Sequence, residues 1–110
     1  MDVQLPIDTY DDLVKKVESS ITKNTRLAVL DHIASTTGFV LPLEKLISMF
    51  HARNIPVLVD GASAPGQLPL NLKEIGADFY VGTCNKWLFG SKSCSFLYVS
   101  KEFQVSFRSI

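Results

Sequence analysis

The sequence has only two cysteines, Cys84 and Cys94. That is too few for the disulfide-dense framework of a small secreted domain, so a reducing cytoplasm is the expected setting. Charge of one sign is also lacking, because 11 Lys and Arg residues balance 11 Asp and Glu residues and no basic run occurs. Nucleic acid and anionic membrane surfaces both call for clustered positive charge, and neither is an expected partner. Long apolar runs are missing as well. Ile55 to Val59 and Phe96 to Val99 hold only four or five residues each, against the roughly 20 needed to cross a bilayer. Met1 to Pro6 contains an acid and no base, so neither a secretory signal nor an arginine-rich transit peptide is expected there. No internal repeat or low-complexity tract interrupts the chain.

What is present is one small domain's worth of apolar residues in a chain of 110. A domain of this size buries roughly 60 to 70% of its extended-chain surface, enough for a modest core but not for enclosing a substrate. An enzyme this short is therefore expected to be completed by further segments.

Periodicity organises the core. Asp8 and Thr9 offer capping oxygens ahead of Tyr10, Leu13, Val14, Val17 and Ile21, with Asp11 and Asp12 in the first turn, which predicts an amphipathic helix ending before Asn24. Within Arg26 to Ile33, the run Leu27-Ala28-Val29-Leu30 is apolar on both faces and suits a buried strand. Pro42 fits a first helical turn, and Leu43, Leu46, Ile47 and Phe50 form the stripe of a second helix, stopped near Arg53-Asn54. Ile55 to Val59 is a second strand closed by Asp60-Gly61; Leu72 to Ile75 is a short helix stopped by Gly76. Phe79 to Thr83 and Ser95 to Val99 are the third and fourth strands. This order predicts an α/β fold, a mostly parallel sheet with flanking helices and right-handed crossovers. The connection from Cys84 to Ser93 holds no crossover helix, so the last strand is expected to run antiparallel. Four strands leave two open edges, which predicts that partner strands come from elsewhere.

Ligands of open parallel sheets bind beyond the carboxyl ends of the strands. That rule selects His32-Ile33-Ala34-Ser35, Asp60-Gly61-Ala62-Ser63 and Thr83-Cys84-Asn85-Lys86. Asp60 follows an apolar strand and is expected at the dry mouth of the sheet, where a carboxylate needs a partner. Bracing the turn up to Gly66 is one role for it; meeting a cationic ligand is another. Lys86 precedes Trp87 and Leu88, so partial desolvation of its amine is expected, and desolvation is one route to a lysine nucleophile. An acid and an imine-forming amine together suit pyridoxal phosphate, whose aldehyde condenses with lysine and whose ring nitrogen pairs with a carboxylate. Hydroxyls such as that of Thr83 and nearby backbone N–H groups would then hold its phosphate.

The segments Val59-Asp60-Gly61-Ala62-Ser63-Ala64-Pro65-Gly66-Gln67, Gly76-Ala77-Asp78-Phe79-Tyr80 and Asn85-Lys86-Trp87-Leu88 together resemble class V aminotransferases. This is the pyridoxal-phosphate superfamily of cysteine desulfurases and isopenicillin N epimerase-like proteins, and the resemblance runs from about Leu27 to Val99. It implies the fold-type-I large domain, an amino acid substrate and a homodimer. It implies Lys86 as the Schiff-base lysine and Asp60 as the ring-nitrogen partner. Thr83 matches a hydroxyl position at the cofactor phosphate, and Ser35 a position near the phenolic oxygen, although a loop hydroxyl bonded to local backbone explains Ser35 equally well. Two residues depart from the pattern: Ser63 stands where relatives have His or Gln, and Asn85 where many have the His that precedes the lysine. Both keep hydrogen-bonding capacity without imidazole chemistry.

The resemblance also implies an upstream glycine-rich phosphate loop, a ring-stacking group and a downstream domain with a substrate-binding arginine, none of which is visible here. Residues 1–110 are therefore expected to be a single partial domain, a central fragment of the large domain. The alternative is a catalytically inactive, truncated or interaction module that keeps only the sheet. Other chemistries fit poorly. Asp31-His32 lacks a Gly-x-Ser-x-Gly elbow, Gly61 to Gly66 lacks dinucleotide spacing, and Gly90-Ser91-Lys92-Ser93 lacks the first P-loop glycine. The cysteines lack zinc-site spacing, so no metal is expected; His51 is expected on a helix flank.

Overall fold

The computed structural model describes residues 9–105. Thr9 opens the first element: its Oγ1 accepts a hydrogen bond from the Asp12 N–H at 3.1 Å. With Asp11 and Asp12 in the first turn, this fixes α1 at Tyr10–Ser19. Leu13 and Val17 are its buried stripe. Ser20 caps the helix, leaving Ile21 beyond its end; Asp8, the other expected cap, lies outside the described residues. The second helix, α2, spans Leu43–His51 and buries Leu43, Leu46, Ile47 and Phe50. Pro42 is its N-cap, at φ −76° and ψ 72°, and not a residue of its first turn. Asn54 leaves the helix end in the left-handed region at φ +54°, which asparagine tolerates better than most residues.

Four strands follow the expected order. β1 (Ala28–Asp31), β2 (Val57–Asp60), β3 (Phe79–Thr83) and β4 (Ser95–Val99) lie side by side in sequence order. The first two pairings are parallel and the last antiparallel, from Phe79↔Val99 to Thr83↔Ser95. The one-turn helix α3, Leu72–Ile75, is capped by the Asn71 side chain and ended by Gly76 at φ +73°, a conformation that glycine adopts without a Cβ penalty. A further turn, α4 at Lys101–Gln104, was not expected, since four residues are too few for a periodic stripe. It brings the Phe103 ring to 5.1 Å from that of Phe79. No described helix is long and apolar enough to cross a membrane.

The two faces of the sheet differ. Ala28, Leu30, Val57, Val59 and Tyr80 point into the core with the buried residues of α1 and α2. On the other face Val29, Leu58, Phe79 and Val99 stand in register across all four strands, and Val29 is 63% exposed. The expectation that β1 is buried on both sides is thus corrected: its Val29 and Asp31 are exposed, while Ala28 and Leu30 are buried.

Asp78 secures the end of the sheet where β2 and β3 begin. Its Oδ2 accepts hydrogen bonds from the Val57 N–H at 2.7 Å and from His51 Nε2 at 2.9 Å. Its backbone carbonyl accepts from the Ser100 N–H at 2.8 Å. His51, expected to be a bystander on the helix flank, therefore ties α2 to the sheet. The opposite end holds a second buried polar pair. His32 Nδ1 and the Tyr80 hydroxyl are 2.8 Å apart, with the rings edge to face. Burial lowers the His32 pKa from its usual 6.5, while burial and then the Asp60 charge push Tyr80 up to about 12. Both groups are held neutral. Gly61 lies directly on the Tyr80 ring, where a Cβ would come within 2.1 Å.

Two expectations follow from this packing. Gly61→Ala forces a fully buried ring to move and should destabilise the chain by about 1–3 kcal/mol; an unchanged urea midpoint would contradict the contact. Because the His32 pKa is lower folded than unfolded, the unfolded chain binds the extra proton first. Stability should then fall as pH drops below about 6.5, by at most about 1.4 kcal/mol per pH unit from this group, and level off below the folded value. Urea titrations across pH 5 to 8 should show that slope, and His32→Phe should remove it.

Candidate functional site

Parallel pairing brings the carboxyl ends of β1, β2 and β3 to one edge of the sheet. The segment 60–63 is pinned there from both sides: the Asp60 carbonyl accepts from the His32 N–H and the Gly61 N–H donates to the Val81 carbonyl, each at 2.8 Å. Asp60 Oδ1 accepts from the Ala62 N–H at 2.9 Å, the local turn that short acidic side chains form at strand ends. Thr83 Oγ1 donates to the Ala62 carbonyl at 2.8 Å. Lys86 Nζ donates to Ser63 Oγ at 3.2 Å. The next loop is equally close, since a Cβ on Gly66 would meet the Trp87 carbonyl oxygen at 2.4 Å.

Asp60, Ser63, Thr83 and Lys86 thus converge on four consecutive residues. The environment is wetter than the sequence implies, because Asp60 and Lys86 are both exposed. Asp60 lies on the same face as Val29, in register with the exposed Asp31 and with Val81, so the apolar strand before it does not close over its carboxylate. Trp87 is 51% exposed and does not desolvate the amine. The proton of Thr83 is directed at Ala62, so a phosphate contact would require this hydroxyl to turn.

Ser35 and Asn85 stand apart. Ser35 is exposed on the turn that the Gly38 N–H closes on the Ala34 carbonyl at 2.8 Å. Asn85 is exposed beside Lys86. Among the described residues no hydrogen bond joins either side chain to the other four. Sequence reasoning placed His32 at the end of the first strand and beside Asp31 but missed its pairing with Tyr80. The signal was there: alternation along β3 puts Tyr80 on the core face, and a buried phenol requires a polar partner. Two surface cavities, of about 340 and 260 Å³, are lined by other residues; His32 touches the smaller one.

Known proteins share this fold. The sequence profile of the family described as "Aminotransferase class-V" matches residues 3–110. An L-cysteine desulfhydrase-like protein, lolT2, of Epichloe uncinata is 36% identical over 99% of this chain and 25% of its own length. The isopenicillin N epimerase of Streptomyces clavuligerus is 39% identical over 88% of this chain and 24% of its own. This chain therefore spans about a quarter of the length of the relatives it matches. Among solved structures, the cystine C-S lyase C-DES in complex with cysteine persulfide superposes with a TM-score of 0.78 at 31% identity, covering 82% of this chain and 25% of the lyase. A mutant of C-DES with glycine covalently linked to its pyridoxal phosphate cofactor gives 0.75 at 30% identity, over 87% of this chain and 25% of that one. The parallel sheet with its antiparallel last strand is that of fold-type-I pyridoxal-phosphate enzymes, and the chain belongs to the class V aminotransferase family.

Proposed function

We propose that this chain carries one half of a pyridoxal-phosphate site that, in the completed protein, acts on an amino acid. The observation that carries this reading is that Asp60 and Lys86, from different strand ends, both anchor on residues 60–63. The donor set fits the cofactor chemically: a carboxylate, a primary amine and several hydroxyls stand at the ligand-binding edge of an α/β sheet. When bound, pyridoxal phosphate supplies an electron sink for carbanion chemistry next to an amino acid's Cα.

Each residue has a definable task. Lys86 would supply the amine that holds the cofactor covalently, and Ser63 Oγ accepts from that amine and orients it. The Ala62 N–H holds Asp60 Oδ1, which fixes the carboxylate plane, and this carboxylate would pair with the cofactor's ring nitrogen. Thr83, once its hydroxyl turns from the Ala62 carbonyl, and Asn85 would offer hydrogen bonds to the phosphate, and Ser35 would offer one towards the phenolic oxygen from the loop after β1. The relatives that act on cysteine or cystine favour a sulfur-containing amino acid as substrate. We take residues 1–110 as a single part of a large domain in a cytoplasmic homodimer. Its open edges and its Val29–Leu58–Phe79–Val99 row, exposed at Val29 and half-buried in the other three strands, would be covered by other segments or by the partner.

The exposed Val29 in this row and the open sheet edges support a second reading, in which the sheet is an interaction module without catalysis. Incubation with pyridoxal phosphate followed by borohydride and peptide mapping separates the two. The half-site predicts a pyridoxyl group concentrated on Lys86 and lost in Lys86→Ala; labelling spread evenly over the exposed lysines would favour the module. Asp60→Asn should weaken cofactor binding by roughly 10- to 100-fold, the worth of one hydrogen bond to a charged group. Titration of the cofactor absorbance checks this, and unchanged affinity would remove Asp60 from the site.

A further inference from the structure

Cys84 directly follows β3 and Cys94 directly precedes β4. The antiparallel register ends at Thr83↔Ser95, and one step further the two cysteines face each other, with the Cys84 N–H donating to the Cys94 carbonyl at 2.8 Å. The loop between them folds back onto this pair. The Gly90 N–H donates to the Cys84 carbonyl at 2.7 Å and the Cys94 N–H to the Ser91 carbonyl at 3.3 Å. Ser93 turns the chain into Cys94 through the left-handed region, at φ +63°. Directly opposed antiparallel residues have Cα atoms about 4.5–5.5 Å apart and project to the same face. That separation lies within the roughly 4.4–6.8 Å that a disulfide spans.

The thiols influence each other: interaction with the Cys94 thiol, followed by burial, pushes the Cys84 thiol up. Both cysteines are free, Cys84 half-buried and Cys94 exposed. Cys94 is the sulfur that an oxidant meets first, and Cys84 stands ready behind it as the resolving thiol.

We propose that Cys84 and Cys94 form a redox modification site, at which a reversible disulfide staples the base of the loop carrying Lys86. The oxidant class is a small disulfide. The Cys94 thiolate attacks one of its sulfurs and expels the first small thiolate, leaving a mixed disulfide. Cys84 gives its proton to solvent, attacks the Cys94 sulfur and expels the second thiolate. Two electrons and two protons leave the chain, and one small disulfide becomes two thiols. This site stands independently of the cofactor reading, because it requires only the hairpin.

The test uses the full chain and oxidised glutathione as the probe, with alkylation, mass spectrometry and amide hydrogen exchange as readouts. Oxidation should leave no alkylatable thiol, remove two hydrogens from the mass, and link Cys84 to Cys94 within one chain. Exchange in residues 85–93 should slow several-fold, and dithiothreitol should reverse every change. In Cys84→Ser the resolving thiol is gone, so glutathione should remain on Cys94. A lasting glutathione adduct on the unaltered chain, a predominantly interchain disulfide, persistence of two alkylatable thiols, or unchanged loop exchange after cross-linking would each overturn the proposal.

Discussion

Contact between Gly61 and the hydroxyl end of the Tyr80 ring is the constraint on which the carboxyl edge of the sheet depends. With no Cβ at residue 61, the chain leaving β2 lies against a fully buried ring. Tyr80 is itself held by His32 from the loop after β1. One small residue therefore couples the ends of three strands. Because the segment after Asp60 is seated this low, the Ala62 carbonyl comes within reach of Thr83 and Ser63 within reach of Lys86. A residue with a side chain at 61 would raise the segment and part these pairs together.

The arrangement also accounts for why a carboxylate and an amine can stand close to the core without being enclosed by it. Their supports are backbone groups and neutral side chains on the buried face, whereas Asp60 itself sits on the face of the exposed Val29. Desolvation of these groups, which pyridoxal-phosphate chemistry exploits, is thus not a property of this quarter-length portion. The family fold supplies the frame on which these groups stand.

Most of the architecture was legible in the sequence, for local reasons. Helix stripes at Leu13–Val17 and Leu43–Phe50, the stops at Asn54 and Gly76, and the missing crossover before Ser95 each depend on nearby residues, and each was found where it was expected. The convergence of Asp60, Ser63, Thr83 and Lys86 followed from parallel topology together with the rule on strand ends. Solvent exposure was harder. A run such as Leu27-Ala28-Val29-Leu30 reports that a strand has two apolar faces and says nothing about whether both are covered in this chain. The His32–Tyr80 and His51–Asp78 pairs join residues 48 and 27 positions apart, and no local periodicity encodes such partners. Pro42 shows the smallest error: helix-start chemistry places a proline at the boundary, while only the backbone decides on which side.

The junction at Asp78 has a bearing on how such a fold can change over time. One buried carboxylate binds the β2 backbone and α2, and its own carbonyl holds the chain beyond β4, so this floor of the sheet tolerates little variation. The opposite rim is made of turns whose side chains reach into water. A scaffold with an immovable floor and a permissive rim can exchange one chemistry for another by drift at a handful of loop positions, without re-inventing its strands.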